Sequence, residues 1–185
     1  MRIVGGTLKG LALTSPGRGD TAAQLRPTAD RVRESLFNIL ANQGLPEGAR
    51  VLDLFAGTGA LGLEALSRGA VHATFVDSGA KAQSLLRANI AKARMGSAAE
   101  LLQGDATRLP RAKVPADLVF LDPPYGKGLG QKALEAARSS GWIADGATLV
   151  LEEASAQPIP EGFELLEMRR YGAAQLHFLE AHDAA

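Results

Sequence analysis

The stretch RVLDLFAGTGALGLEALSR (residues 50–68) decides the fold. Its first six residues are of strand length, and after Arg50 they form an apolar run interrupted by a single acid, Asp53. Gly57, Gly59 and Gly62 then make a G-x-G-x-x-G that opens a helix expected over 60–68. Glycines at such a turn let the main chain approach a ligand, and the free N–H groups of the following helix attract its polar groups. Asp77, twenty residues after Gly57, closes the next apolar run, ATFVD (73–77). A carboxylate at that strand tip suits a ribose diol. A tight strand–helix turn with no ligand is the plainer reading of the same glycines.

Downstream the alternation continues. A helix is expected over 79–95, strands at AELLQ (99–103) and DLVFLD (117–122), a helix over 129–140, and strands at ATLVLEE (147–153), FELLEMRRYG (163–172) and AAQLHFLEA (173–181). Strands alternating with helices imply an α/β protein, a doubly wound and mostly parallel sheet covered on both faces. The last two strands have no helix between them and should pair antiparallel. Upstream, apolar residues at 2–5 and 8–13 flank Gly5 and Gly6 and suggest a small hairpin, followed by a loop over 14–25. Pro27 and Thr28 open a helix running to about Asn42, with Thr28 as N-cap and Asp30 in its first turn. Val32, Leu36, Ile39 and Leu40 should face the core, with Arg31 and Arg33 on either side of that stripe. The expected organisation is one domain. An N-terminal β-ribbon or arm (1–27) belongs to it, the body spans 28–181, and 182–185 is a tail.

Composition narrows the function. With 185 residues and no cysteine, a disulfide framework and Cys-ligated zinc or iron–sulfur sites are excluded. No apolar run of about 18 residues suggests a membrane span. The opening MRIVGGTLKG lacks the long apolar core of a signal peptide, so a cytoplasmic protein is expected. The formal charge is zero, but the first 40 residues carry +3 and the rest −3. A basic arm on an acidic body points to an anionic partner. His72, His177 and His182 are scattered, no G-x-S-x-G is present, and no metal is expected. Trp142 reads as a core or hinge residue.

Two further acids discriminate between ligands. Asp53 lies inside an apolar strand, where a carboxylate needs a partner. A cationic amino group on a ligand would supply one and a dinucleotide pyrophosphate would not. Asp105, in QGDA after the third strand, can accept from an exocyclic adenine amine. Together Asp53, Gly57, Gly59, Asp77 and Asp105 outline a ligand with an amino group, a ribose and an adenine, which S-adenosylmethionine fits. The bland alternatives are a turn-bridging role for Asp53 and an Asx turn at Asp105. NAD bound through Gly57, Gly59, Gly62 and Asp77 would leave Asp53 and Asp105 unexplained.

The fourth strand ends in Asp122-Pro123-Pro124-Tyr125. In an open parallel sheet, ligands sit at the carboxyl ends of the strands. The prolines remove competing N–H donors, so the Asp122 carboxylate and the Pro123 carbonyl can accept from an amino group. Tyr125 offers a ring on which a base can stack.

This tetrapeptide resembles the amino-methyltransferase motif [DNS]-P-P-[YFW]. The wider sequence is similar to the bacterial RsmD-type 16S rRNA guanine-N2 methyltransferases. RIVGGTLKG resembles their N-terminal ribbon, and LRPTADRVRESLFNIL (25–40) their next block. VLDLFAGTGALGLEALSRGA (51–70), VFLDPPY (119–125) and GWIADGATLVLE (141–152) follow in the family's order. Tyr125 departs from the Phe found in many relatives, and both rings stack. The resemblance implies a Rossmann-like class I methyltransferase fold with seven strands, an antiparallel C-terminal strand, and an N-terminal β-ribbon and helix. It implies S-adenosylmethionine as cofactor, with Asp53 toward the methionine amino group, Phe55, Ala56, Gly57, Thr58 and Gly59 along the methionine, Asp77 on the ribose, and Asp105 with Ala106 at the adenine. Asp122, Pro123, Pro124 and Tyr125 would be catalytic. Arg2, Lys9, Arg26, Arg31 and Arg33 would meet phosphates of 16S rRNA in the small ribosomal subunit, or form an ordinary solvated face. A monomer is expected. The other functions compatible with these residues are a DNA or tRNA amino-methyltransferase, an NAD-dependent dehydrogenase, and a non-catalytic RNA-binding module.

Overall fold

The computed structural model describes residues 1–17 and 29–182. The elements are α1 (Asp30–Ala41), β1 (Arg50–Leu54), α2 (Ala60–Ser67), β2 (His72–Asp77), α3 (Ala80–Ala93), β3 (Ala99–Gln103), β4 (Ala116–Leu121), α4 (Leu129–Ser139), β5 (Ile143–Glu153), β6 (Phe163–Tyr171) and β7 (Ala174–Ala181). They form one seven-stranded sheet in the order β3-β2-β1-β4-β5-β7-β6. β1 pairs parallel with β2 and β4, β2 with β3, and β4 with β5; β7 runs antiparallel to both β5 and β6.

Strand alternation sorts the side chains into two layers. Val51, Phe75, Phe120 and Phe178 pack with Leu36, Phe37 and Leu40 of α1, Leu63 of α2 and Leu86 of α3. Leu52, Val76, Val119 and Leu149 pack on the other side with Ala133, Leu134 and Ala137 of α4. Central strands buried on both sides need apolar residues throughout, which is why β4 reads as an unbroken run. Strand order reverses between β1 and β4, so the crevice beyond their carboxyl ends is the topological switch point where such sheets bind ligands.

Gly62 brings α2 onto the sheet. A Cβ there would lie 2.3 Å from Cε1 of Phe75, a fully buried ring, and 3.1 Å from Oδ2 of Asp53. Alanine normally favours a helix interior over glycine by about 1 kcal/mol. Here overpacking wins, and Gly62→Ala is expected to destabilise the protein by about 1–3 kcal/mol. Urea denaturation reads this as a lower midpoint at unchanged slope; a raised midpoint would show that the helix simply steps back.

The Thr28 N-cap expectation lies outside the described residues; among the described residues, α1 follows Ala29 with no side-chain cap. Three local expectations are revised. The inward face of α1 is Arg33, Leu36, Phe37 and Leu40, with Val32 and Ile39 partly buried at its margin. β5 begins at Ile143, four residues before the expected start, because Gly146 at φ +74° and an irregularity in the pairing with β4 let the Asp145-Gly146 turn pair stay within the strand. The N-terminal hairpin is reduced to one antiparallel bridge, Arg2 with Ala12. The Ile3 N–H donates to the Leu11 carbonyl, and the Gly10 N–H to that of Ile3. Pairing goes no further because the Val4 and Gly5 N–H groups are drawn to the carboxylate of Glu64 instead. Ile3 and Leu13 still enter the main core.

Candidate active site at the carboxyl edge of the sheet

Register brings the expected residues to one edge. Leu54 pairs with Val76 and with Leu121, and Asp77 with Gln103. The segments that follow these strands, Phe55–Gly59, Asp77–Gly79, Gly104–Ala106 and Asp122–Tyr125, therefore emerge side by side. The Asp122 N–H donates to the Leu54 carbonyl at 3.4 Å, fastening the tetrapeptide to the start of the glycine loop.

The glycine loop is tightly folded. Phe55, Gly57 and Gly59 all sit in the left-handed region, at φ 60°, 59° and 80°. Phe55 has a Cβ, so this conformation costs energy and persists only because its surroundings enforce it. The Ala56 N–H reaches the Val76 carbonyl, and the Gly59 N–H closes back on Ala56. Asp77 joins two loops: Oδ2 accepts from the Gly57 N–H at 2.9 Å and Oδ1 from the Gly79 N–H at 2.8 Å.

Asp53 is 2 % exposed, and its Oδ2 accepts from the Gly62 N–H at 2.9 Å. The turn-bridging role is thus present in the structure. Burial pushes its carboxyl up to about 8, against the opposing pull of the Gly62 N–H, and the nearby Asp77 adds to the rise. Burial thus favours the protonated form of Asp53. A raised folded value means that the native chain keeps this proton after the unfolded chain has lost it. Its contribution to stability then falls as pH rises from about 4 to about 8. Asp53→Asn removes that titration while keeping an acceptor for Gly62. Over this window the variant should gain on the native chain by up to ~1.4 kcal/mol per pH unit. Urea melts at pH 5 and pH 8 test this; a pH-independent difference would show that Asp53 ionises normally.

Asp105 takes the Asx geometry: its Oδ1 accepts from both the N–H and the hydroxyl of Thr107. These bonds, the backbone one foremost, hold its carboxyl below the usual range. Ala106 is buried against the α4-side layer. Thr58 is 6 % exposed; its hydroxyl donates to the Met1 sulfur, and its carbonyl accepts from Asn89. In the tetrapeptide Pro123 is buried and the other three residues are partly so. The Tyr125 hydroxyl donates to Oε1 of Glu152 at 2.8 Å, which fixes the ring's outer end.

The family model described as Conserved hypothetical protein 95 matches residues 1–180. Ribosomal RNA small subunit methyltransferase D of Escherichia coli K12 is 38% identical over 160 residues, covering 86% of this chain and 78% of that one. The chain belongs to the RsmD methyltransferase family. Its Haemophilus influenzae relative of the same name is 35% identical over 156 residues, 80% of this chain and 79% of that one. The solved yhhF protein of Escherichia coli superposes with a TM-score of 0.85 at 34% identity, covering 100% of this chain and 99% of that one. The α/β architecture is that of a class I methyltransferase.

Within this RsmD-family chain the basic residues divide. Lys9 and Arg31 are exposed, as is Arg2, which also reaches Asp30 at 3.3 Å. Arg26 lies outside the described residues. Arg33 is corrected: it is fully buried and donates to Asp30 and to the Arg2 carbonyl, so it cannot meet a phosphate at the surface. An arginine at the centre of an inward helical face is held there by Asp30, although burial pulls its guanidinium below the usual value. Trp142 is a core residue whose indole N–H donates to the Pro110 carbonyl.

Three residues escaped the sequence reading. Glu152 holds Tyr125, Glu64 holds the N-terminal segment, and Asn89 holds Thr14 and Thr58. Glu64 carried a visible signal, since it is the one charged residue of ALGLEALS, as Asp53 is the one acid of the first strand. Nothing local marked Glu152 or Asn89, because their partners come from distant segments.

Proposed function

We propose that this chain transfers a methyl group from S-adenosylmethionine to the exocyclic N2 of a guanine in 16S rRNA, presented in an assembled small ribosomal subunit, and that it acts as a monomer in the cytoplasm. One observation carries the reading: Asp122-Pro123-Pro124-Tyr125 is fastened across the switch point to the glycine loop through the Leu54 carbonyl. An amine acceptor site and a cofactor loop meet at one crevice. The donor set suits the cofactor. Asp53 is a buried acid that a cationic amino group would convert to its carboxylate, and Asp77 and Asp105 follow on successive strand ends.

When bound, S-adenosylmethionine supplies an electrophilic methyl on a sulfonium. The protein's residues do the rest by position. Phe55 to Gly59 line the methionine moiety, Asp77 takes the ribose hydroxyls, and Asp105 beside Ala106 takes the adenine amine. The target guanine leaves its stack to reach the crevice. Tyr125, pinned by Glu152, stacks on it. The Asp122 carboxylate and the Pro123 carbonyl accept the two N–H bonds of the N2 amine and orient its lone pair. Pro124 keeps the turn rigid. Orientation and fixed acceptors supply the acceleration, with no covalent enzyme intermediate. Asp122 is also the candidate acceptor for the proton released from the amine. Arg2, Lys9, Arg26 and Arg31 meet phosphates of the folded RNA, which is recognised largely by shape.

Mass mapping of small subunits from cells with and without the protein tests this proposal. One methylated guanine should be missing from 16S rRNA in the deletion; an unchanged map would overturn it. Calorimetric titration separates the cofactors. S-adenosylmethionine should release heat, with about one proton set free per ligand at pH 7 as Asp53 ionises, and NAD should give none. Binding of NAD alone would favour the dehydrogenase reading.

A further inference from the structure

Asn89 is 0 % exposed and lies on α3 (Ala80–Ala93), outside the four strand-end segments that form the candidate site. Its side-chain amide uses both donor hydrogens and an acceptor position. Nδ2 donates to the Thr14 carbonyl and to the Thr58 carbonyl, each at 2.9 Å, and Oδ1 accepts from the Thr14 N–H at 2.7 Å. Thr58 lies between Gly57 and Gly59 in the glycine loop, and Thr14 lies at the end of the N-terminal segment that carries Arg2 and Lys9. A second tie joins the same two places: the Thr58 hydroxyl donates to the Met1 sulfur at 3.4 Å.

We infer that Asn89 is a positioning residue that couples the cofactor loop to the RNA-facing N-terminal segment, so that each ligand tightens the other's site. This rests on the proposed function. A primary amide has only two N–H bonds, and here both are committed in a buried place. If the Thr58 carbonyl moved, a buried donor would lose its partner, and a buried unpaired donor is disfavoured. The glycine loop and Thr14 therefore share a single set of arrangements. A cofactor that immobilises Gly57–Gly59 also immobilises the main chain at Thr14. RNA that holds the N-terminal segment in place returns the same constraint to Thr58. Such coupling is reciprocal by linkage. Asn89 touches neither ligand in this scheme; it acts through Thr14 and Thr58.

The test uses the full chain, radiolabelled S-adenosylhomocysteine as an unreactive cofactor probe, and small ribosomal subunits lacking the methyl group. In the native protein the subunits should raise the probe's affinity about fivefold or more, and the probe should raise subunit affinity by the same factor. In Asn89→Ala each ligand should still bind alone, with the mutual enhancement reduced to below about twofold. A residue that merely supported the fold would weaken both affinities and leave their ratio intact. Hydrogen exchange on the unmutated protein gives a second measurement that does not depend on the variant folding: adding the probe should slow exchange of the Thr14 amide. If the native protein binds both ligands independently, or if Thr14 exchange ignores the probe, the coupling is wrong while the proposed function stands. If the native protein binds no S-adenosylhomocysteine, the proposed function itself falls.

Discussion

Asp122→Ala should lower methyl transfer by roughly 10²–10³-fold while leaving S-adenosylmethionine affinity within about twofold of native. The Asp122 side chain is one of the two acceptors assigned to the target amine, and a methyl group accepts nothing. The main chain should not change, because the tetrapeptide is fastened through the Asp122 N–H to Leu54 and through buried Pro123. Asp122→Asn is the sharper companion. It keeps size and one acceptor oxygen but turns an N–H₂ group on the amine or its surroundings, so it should also be severely impaired. Single-turnover transfer to purified subunits, alongside cofactor titration, separates the two effects. A rate for Asp122→Ala within tenfold of native would remove Asp122 from the chemistry; a lost cofactor affinity would place it on the cofactor instead.

The second large effect is on stability. Glu64→Ala should cost about 3–5 kcal/mol, the range for breaking a buried pair by removing one partner. Glu64 is fully buried and its carboxylate accepts from the Val4 N–H at 2.8 Å, the Gly5 N–H at 2.7 Å and Nε of Arg68 at 2.8 Å. Removing it strands two main-chain donors and leaves Arg68, whose guanidinium lies over the Phe37 ring, without its counter-ion. For a chain of this length the thermal midpoint should fall by roughly 10 °C. Exchange of the Val4 and Gly5 amides should accelerate more than that of the central strands. Ser67 limits the loss: its hydroxyl donates to the Gly5 carbonyl and accepts from the Leu8 N–H, so the segment stays attached at a second point. A midpoint shift under about 2 °C, corresponding to less than ~1 kcal/mol, would show that water replaces the carboxylate at little cost.

Much of the fold was legible because it rests on period and length. The runs at 50–55, 73–77 and 117–122 are apolar enough to be buried on both sides, the run at 99–103 forms the partly exposed edge strand, and each stands within about a residue of the observed strand. The missing helix between the last two runs foretold the antiparallel β6–β7 pair. The strand expected over 147–153 begins at Ile143, so Asp145-Gly146, a pair with the composition of a turn, lies inside β5. Charge misled at Arg33: helical periodicity placed it beside an apolar stripe, and a flexible cation there normally reaches solvent. The structure turns it inward because Asp30 and the Arg2 carbonyl wait for it.

The site divides in the same way. By itself the sequence determined which residue types stand at the carboxyl ends of β1 to β4, since a strand's length and the turn after it are local matters. It therefore named the glycine loop, Asp77, Asp105 and the Asp-Pro-Pro-Tyr turn, and with them the family. Only the tertiary structure decided which buried polar groups find each other. Glu64 meets Val4 across 60 positions, Asn89 meets Thr14 across 75, and Tyr125 meets Glu152 across 27. Each bond joins segments whose proximity is set by sheet order and helix packing. A buried donor or acceptor must be paired, but nothing in its own neighbourhood says with what.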